Sequence, residues 1–493
     1  MFSLFLAAVA FSAAFIAPRT AVAFSCDSAD GDPTAAARAL SDEAFDILGG
    51  DGWRRDEGVF HFTHDHDAEL AALEETGTNW NGIGNPAMIY ARPSFSGGIS
   101  PVFRLGPSDA LVMTFCAPPP SRYFSASTYV WRRRGRVVSA TAGNNRVNML
   151  TLRNSTWNHA CDAELFMGER CPVFSKPIVL VSTKDELTFE RVSEAFLTAG
   201  IDEVALNVEE LAPDRIMDSD QLTFSFRSAM WPGNDALGEY SKLRWNSVFI
   251  ARAPRNFRGR PFALKPQPSP SRLMHDERHL QSSLYRRAEQ LKRVLVDSGL
   301  KYMQTGKIST VNVDRDRCLT SRSYSPFRTG AARQIRIQSA CFGETSDCAY
   351  GISDLALPDR PFVALFVGVN HVAKKNAMFS NIAAYQSGGA TSFISAANVR
   401  VVSSVDDRAW GTDLVYAHAF ASGGLCRYFA KGWKTACTEV PSNGQESFFI
   451  TRDYLDPNSA TAPNSDEMIN PMILYFASQE ERIKSHVKSA RAS

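Results

Sequence analysis

Past its N-terminus the 493-residue chain has no run approaching 18 uninterrupted apolar residues, which argues against a membrane-spanning helix in the mature protein. It has no C-x-x-C, so the spacing of a zinc ribbon is missing. It also has no P-loop, no G-x-G-x-x-G and no G-x-S-x-G, and so gives no support to ATP, dinucleotide or α/β-hydrolase chemistry. An excess of one charge is lacking too. With 53 Lys+Arg against 52 Asp+Glu the net charge is +1, and no overall field draws the chain to nucleic acid or an anionic membrane.

What is present suits a globular protein: 44% hydrophobic and 21% charged residues are enough to bury real cores. At about 150 residues per domain the length allows two to three domains, and two large β-domains fit equally well. Residues 1–23 read as a signal peptide, since Phe2 to Pro18 are uncharged and Ala21-Val22-Ala23 puts small residues before Phe24. Export to the outside or to an endomembrane lumen follows. Ala-Val-Ala-Phe also resembles the cleavage motif of the two-part plastid presequences of algae with secondary plastids, although the residues after Phe24 are acidic where transit peptides are basic.

Cysteine spacing agrees with an oxidising compartment. Cys161 and Cys171, Cys341 and Cys348, and Cys426 and Cys437 each flank a short loop, so three local disulfides are expected. Cys26–Cys116 is a plausible fourth, leaving Cys318 over. Asn154-Ser155-Thr156 is a glycosylation sequon.

Five prolines and six basic residues between Arg252 and Arg272 exclude a helix or a central strand, so 252–272 reads as an exposed linker. It separates an N-terminal β-domain, 24–251, from a helix-plus-β domain, 273–493. Leu280, Leu284, Ala288, Leu291 and Leu295 form one stripe and predict a helix over Met274–Ser298. Two shorter helices are expected, at Ala68–Glu75 and from Asp185 to a stop at Gly200. Twelve short β-type runs make up most of the remainder, and they predict a mainly β (α+β) protein of two β-sandwich or jelly-roll-like halves. The halves echo one another. Asp109–Phe115, Tyr123–Tyr129 and Arg136-Val-Val match Phe362–Val367, Met378–Tyr385 and Arg400-Val-Val in order and character.

Asn85-Pro86-Ala87-Met88-Ile89-Tyr90 resembles the Asn-Pro-x-x-x-Tyr motif of the bacterial tandem jelly-roll proteins of unknown function. Ser121-Arg122-Tyr123-Phe124 resembles their Asp-Arg-Tyr-Tyr step. The family's Asp after Asn-Pro is Ala87 here, and the likeness covers about a third of the chain. It implies two jelly-roll-like sandwiches and export, and says almost nothing about chemistry.

Several constellations could carry a reaction. His64 and His66 share a face if extended, about 7 Å apart, as in the His-x-His of cupin-like metalloenzymes, so a divalent metal is conceivable there. A polar strand end and helix cap is the plainer reading. His275 and His279 bracket Asp276, where a zinc protease needs Glu, and read as part of a solvated helix face. His371 ends an apolar strand, as loop-borne catalytic residues often do. Tyr416 and His418 share a strand face and could form an acid–base couple. Arg122, Tyr123 and Tyr90 are the substrate-binding candidates. Asp453 and Asp456 fall in a turn-like Arg452–Pro457 segment, and Trp131–Arg136 is a basic hairpin tip.

These features favour an enzyme that works on a small molecule with His/Tyr/Arg acid–base groups. The alternatives are a non-catalytic extracellular protein holding a glycan or a partner, and the metal enzyme on His64 and His66.

Overall fold

The computed structural model describes residues 26, 33–63, 88–95, 101–117, 121–153, 177–229, 247–263, 265, 270, 272–311, 313–321, 341, 346–354, 361–387, 399–410, 413–429, 435–441 and 447–478. The first half forms α1 (Pro33–Gly50), β1 (Arg54–Thr63), β2 (Met88–Phe95), β3 (Val102–Phe103), β4 (Ala110–Cys116), β5 (Tyr123–Arg133), β6 (Arg136–Thr141), β7 (Pro177–Thr183), α2 (Glu186–Thr198), β8 (Leu206–Glu210), β9 (Gln221–Ala229) and β10 (Ser247–Arg252). The second forms α3 (Gln281–Asp297), β11 (Leu300–Thr310), α4 (Arg315–Thr320), β12 (Cys348–Ser353), β13 (Phe362–Val369), β14 (Phe379–Ser387), β15 (Val399–Asp406), β16 (Val415–Ser422), β17 (Ala436–Val440), β18 (Ser447–Tyr454) and β19 (Met472–Ser478). The fold is mainly β, in two sandwich-like halves with a few helices.

Each half contributes one sheet. The first runs β6-β5-β9-β2-β1-β10-β4-β7-β8 with β3 paired to β9, and the second runs β15-β14-β18-β12-β11-β19-β13-β16-β17. Removing β3 makes the two orders identical strand for strand. Both place their parallel pair at the same edge, β7 with β8 and β16 with β17. The echoed sequence segments are β4 with β13, β5 with β14 and β6 with β15, each pair in the same place in its sheet.

The continuous apolar runs are strands buried on both faces. Along β4, Leu111, Met113 and Phe115 enter the sandwich interior, while Ala110 and Val112 pack with Leu40, Ala44 and Leu48 of α1 and Val192 and Phe196 of α2. In the second half, Ala364 and Phe366 of β13 face inward, and Val363, Leu365 and Val367 pack under Leu284, Ala288, Leu291 and Leu295 of α3. A third layer joins the halves: Tyr350, Phe379, Tyr385, Phe448 and Tyr454 belong to the same apolar cluster as Tyr123, Phe124 and Phe226.

Each of the twelve expected strands has a counterpart. The unexpected ones, such as β1 (RRDEGVFHFT) and β11 (LKYMQTGKIST), are rich in charge and polar groups, which hides a half-exposed strand. The helix anticipated from Asp185 is α2: Asp185 caps it by accepting from Thr188 N, and Gly200, with φ 98°, follows its end. The 274–298 helix starts late. A 3-10 turn, Arg278–Leu280, runs directly into α3 at Gln281, while upstream His275 N donates to Asn376 Oδ1 and Glu277 is turned into the protein. The helix expected at Ala68–Glu75 lies outside the described residues. α1 is a further helix that the sequence analysis does not anticipate: its buried face is Ala37, Leu40, Ser41, Ala44 and Leu48, in which two leucines alternate with small residues.

The Arg252–Arg272 segment is extended at its start but docked, not free. Glu186 N donates to Arg260 O, and the Arg260 guanidinium pairs with Glu186 and Glu190 at 2.7 Å each.

Disulfides join Cys26–Cys116, Cys318–Cys341 and Cys426–Cys437. The expected Cys341–Cys348 pair is corrected. Cys341 bonds the supposed leftover Cys318, and Cys348 is a buried free thiol on β12. Sequence proximity misleads here because α4 carries Cys318 back to Cys341 beside β6, where Cys341 N donates to Val138 O. Cys161–Cys171 and Asn154 lie outside the described residues.

Candidate functional site

His371 follows β13, where the strand ends and Asn370 N donates to Leu414 O. Its Nδ1 lies 2.8 Å from Glu277 Oε1. Glu277 is itself fixed: Asn376 Nδ2 donates to Oε1 at 2.8 Å and Ile469 N to Oε2 at 2.9 Å. Burial alone would hold the imidazole neutral, but the adjacent Glu277 and the nearby Asp453 outweigh it and push the His371 pKa up to about 9. The same pairing overcomes burial at Glu277 and lowers its pKa.

Asp453 sits on β18, cross-strand from Ser380, whose Oγ donates to its Oδ1 at 2.6 Å. Burial raises its pKa against the opposing pull of His371 and the Ser380 bond. Tyr416 completes the group. Burial and then the charge of Asp453 raise its phenol well above the ordinary value, and its ring stacks on Trp410 at 4.0 Å. Gly368 leaves room for that ring, since a Cβ there would lie 2.7 Å from Tyr416 Oη.

His418 shares the inward face of β16 but stands apart. Its Nε2 is 2.7 Å from Thr438 Oγ1, its Nδ1 is buried without a hydrogen-bond partner, and burial lowers its pKa to about 4. Beside Phe420, with ring centroids 5.3 Å apart, it is a neutral core residue at ordinary pH.

Two of the substrate-binding candidates, Tyr123 and Tyr90, sit elsewhere, on the face of the first sheet that meets the second. Tyr123 Oη donates to Asp347 Oδ2 at 2.9 Å, and its ring lies 4.7 Å from that of Tyr454. Tyr90 acts electrostatically on Arg452 and Tyr454, and Arg122, half-buried, precedes β5. The six candidates therefore do not converge: His371 is with Tyr416, His418 is alone, Tyr90 and Tyr123 lie where the two sheets meet, and Arg122 stands beside the start of β5.

Sequence reading missed Glu277 and Asp453. Glu277 lies within His275–His279, whose polar sequence suggests a solvated face, yet it is fully buried while Asp276 and His279 face outward. From sequence, Asp453 reads with Asp456 as part of a turn. Asp456 does hold a turn, accepting from Asn458 N and Ser459 Oγ, whereas Asp453 belongs to β18. The basic hairpin tip is also placed. Arg134 and Gly135 both have positive φ in its two-residue turn. Arg133 and Arg136 donate to the carbonyls of Leu319, Ser321 and Cys318 at the end of α4.

His64 and His66 lie outside the described residues, and no group of three metal ligands occurs among the described ones. No helix among the described residues is long and apolar enough to cross a membrane.

No family profile matches the chain, and neither does any curated protein. Among solved structures, an uncharacterised protein from Burkholderia cenocepacia is 13% identical, with 90% of each chain covered and a TM-score of 0.36. A protein from Vibrio parahaemolyticus is 11% identical, with 88% of this chain and 99% of that one covered and a TM-score of 0.35.

Proposed function

We propose that the protein is an exported acid–base enzyme acting on a small organic molecule, with His371 as its proton donor. The observation that carries this reading is the Glu277–His371 pair. A carboxylate fixed by two further hydrogen bonds holds Nδ1, and Nε2 has no hydrogen-bond partner among the described residues. A carboxylate that orients one imidazole nitrogen and leaves the other to exchange a proton is a recurrent catalytic arrangement. With its pKa pushed up to about 9, the ring is protonated at neutral pH and suited to act as an acid. Asp453, which interacts electrostatically with both His371 and Tyr416, would receive or orient the substrate together with the Tyr416 hydroxyl. The disulfides suit the oxidising compartment that export implies.

The test compares purified full-length protein with His371→Gln in a small-molecule extract, followed by untargeted mass spectrometry, with melting temperatures as the folding control. Consumption of a compound by the wild type alone supports the reading. Equal consumption by a folded variant, or none by either, overturns it.

A further inference from the structure

β9 and β18 occupy the same place in their sheets, and each carries a buried arginine at the same register. Arg227 stands opposite Tyr90 of β2 and Ser125 of β5. Arg452 stands opposite Tyr350 of β12 and Asn381 of β14. Both are almost fully enclosed, with 4% and 2% of their surface exposed. Each guanidinium lies near tyrosine rings: Arg227 is 5.8 Å from Tyr129, and Arg452 is 5.8 Å from Tyr350 and 5.5 Å from Tyr385.

The two differ in what their nitrogens meet. Arg452 Nη2 donates to Tyr385 Oη at 2.6 Å. Arg227 Nε and Nη2 are both buried and meet no hydrogen-bond acceptor among the described residues. Asp347 Oδ1 is 3.9 Å from Nη2, beyond hydrogen-bond range, and its Oδ2 is engaged by Tyr123 Oη. Nε and Nη2 are the two donors on one edge of the guanidinium, the pair that grips a carboxylate side-on. The protein uses that edge elsewhere: Arg133 Nε and Nη2 bind Asp220 Oδ1 and Oδ2 at 3.0 and 2.6 Å. Burying such an edge without an acceptor is costly.

Charge points the same way. Among the described residues, the groups acting most strongly on Arg227 are Tyr123, Tyr129, Asp347 and Tyr350, of which Asp347 is the carboxylate. The free thiol between the arginines does not compensate, because burial raises its pKa and keeps Cys348 protonated.

We propose that the seam between the two sheets binds a small organic monoanion, a monocarboxylate with a compact planar body, gripped by Nε and Nη2 of Arg227 and flanked by Tyr123, Tyr129 and Tyr350. Asp347 disfavours a dianion, since a second negative charge would sit against it. The tyrosine rings favour a flat apolar body over a hydrated inorganic ion. The site is separate from Glu277–His371 and does not depend on the acid–base reading.

The test uses the full-length protein with benzoate as probe, uncharged benzamide as shape control and inorganic phosphate as charge control. Binding is read by calorimetry and by melting temperature after long equilibration. One benzoate per chain is expected, with benzamide and phosphate at least about tenfold weaker. Arg227→Lys, which keeps the charge and loses the two-pronged edge, should weaken benzoate by about tenfold or more. Asp347→Asn, which removes the competing carboxylate, should tighten it and keeps the question open to measurement if the lysine variant does not fold. No saturable benzoate binding overturns the proposal. So do equal binding of benzamide, preference for phosphate, and benzoate affinity unchanged in either folded variant.

Discussion

Glu277 Oε1 and His371 Nδ1 lie 2.8 Å apart although 94 residues separate them in sequence. The bond ties the turn before α3 to the loop after β13. Through Ile469 N it also reaches the segment that leads into β19, so one buried carboxylate holds three stretches of chain around the imidazole. The electrostatics of this pair and of the neutral His418 set opposite limits on stability.

On the alkaline side, the folded His371 pKa of about 9 is above the ordinary imidazole value. A raised pKa means that the folded state binds the proton more tightly, so the contribution is fully present below about pH 6.5 and is lost as pH rises through about 9. The gap corresponds to on the order of 3 kcal/mol. Urea unfolding across that range should show the decline, and His371→Gln should flatten it. An unchanged alkaline limb in the folded variant would contradict the ion pair.

On the acid side, the folded His418 pKa of about 4 is below the ordinary value, because burial excludes the charged ring. The unfolded chain then takes up the proton first. Stability from this residue is present above about pH 6.5 and is lost as pH falls towards about 4. His418→Gln should make the fold less acid-sensitive over that interval, as followed by circular dichroism.

The basic hairpin predicts a different kind of loss. Arg133 and Asp220 form a buried ion pair at 2.6 Å, and Arg133 Nη1 also donates to Leu319 O at 3.1 Å. Arg133→Met leaves the Asp220 charge enclosed without its counter-ion, which should cost about 3–5 kcal/mol. Adding Asp220→Leu should recover much of that loss, because the uncompensated charge is then gone as well. A fall below about 1 kcal/mol in chemical unfolding of the single variant would show that the pair is exposed in solution.

Peptide mapping without reductant should link Cys318 to Cys341 and leave Cys348 as a thiol that alkylates only after unfolding. Recovery of a Cys341–Cys348 peptide would reverse that assignment. Cys426→Ser with Cys437→Ser should lower stability by about 2–3 kcal/mol, since the bond closes a short loop beside the parallel β16–β17 pair.

The sequence by itself determined the apolar strands, the helix face built on Leu284, Ala288, Leu291 and Leu295, and the repetition of one strand series in two halves. These are local signals: period, apolar continuity, caps, and residue order within a short window. Tertiary structure alone decided which charges are buried. Glu277 among four solvated-looking neighbours, Asp453 beside a turn, and Arg227 opposite Tyr90 have nothing local to mark them, because their partners come from loops distant in sequence, from strands paired across the sheet or from the other half. Cys318 pairs with Cys341 because both are held beside β6 of the first half, which spacing along the chain does not reveal. A side chain's neighbours along the chain fix its secondary structure, but its neighbours across the sheets fix its charge state and its bonds, and therefore its chemistry.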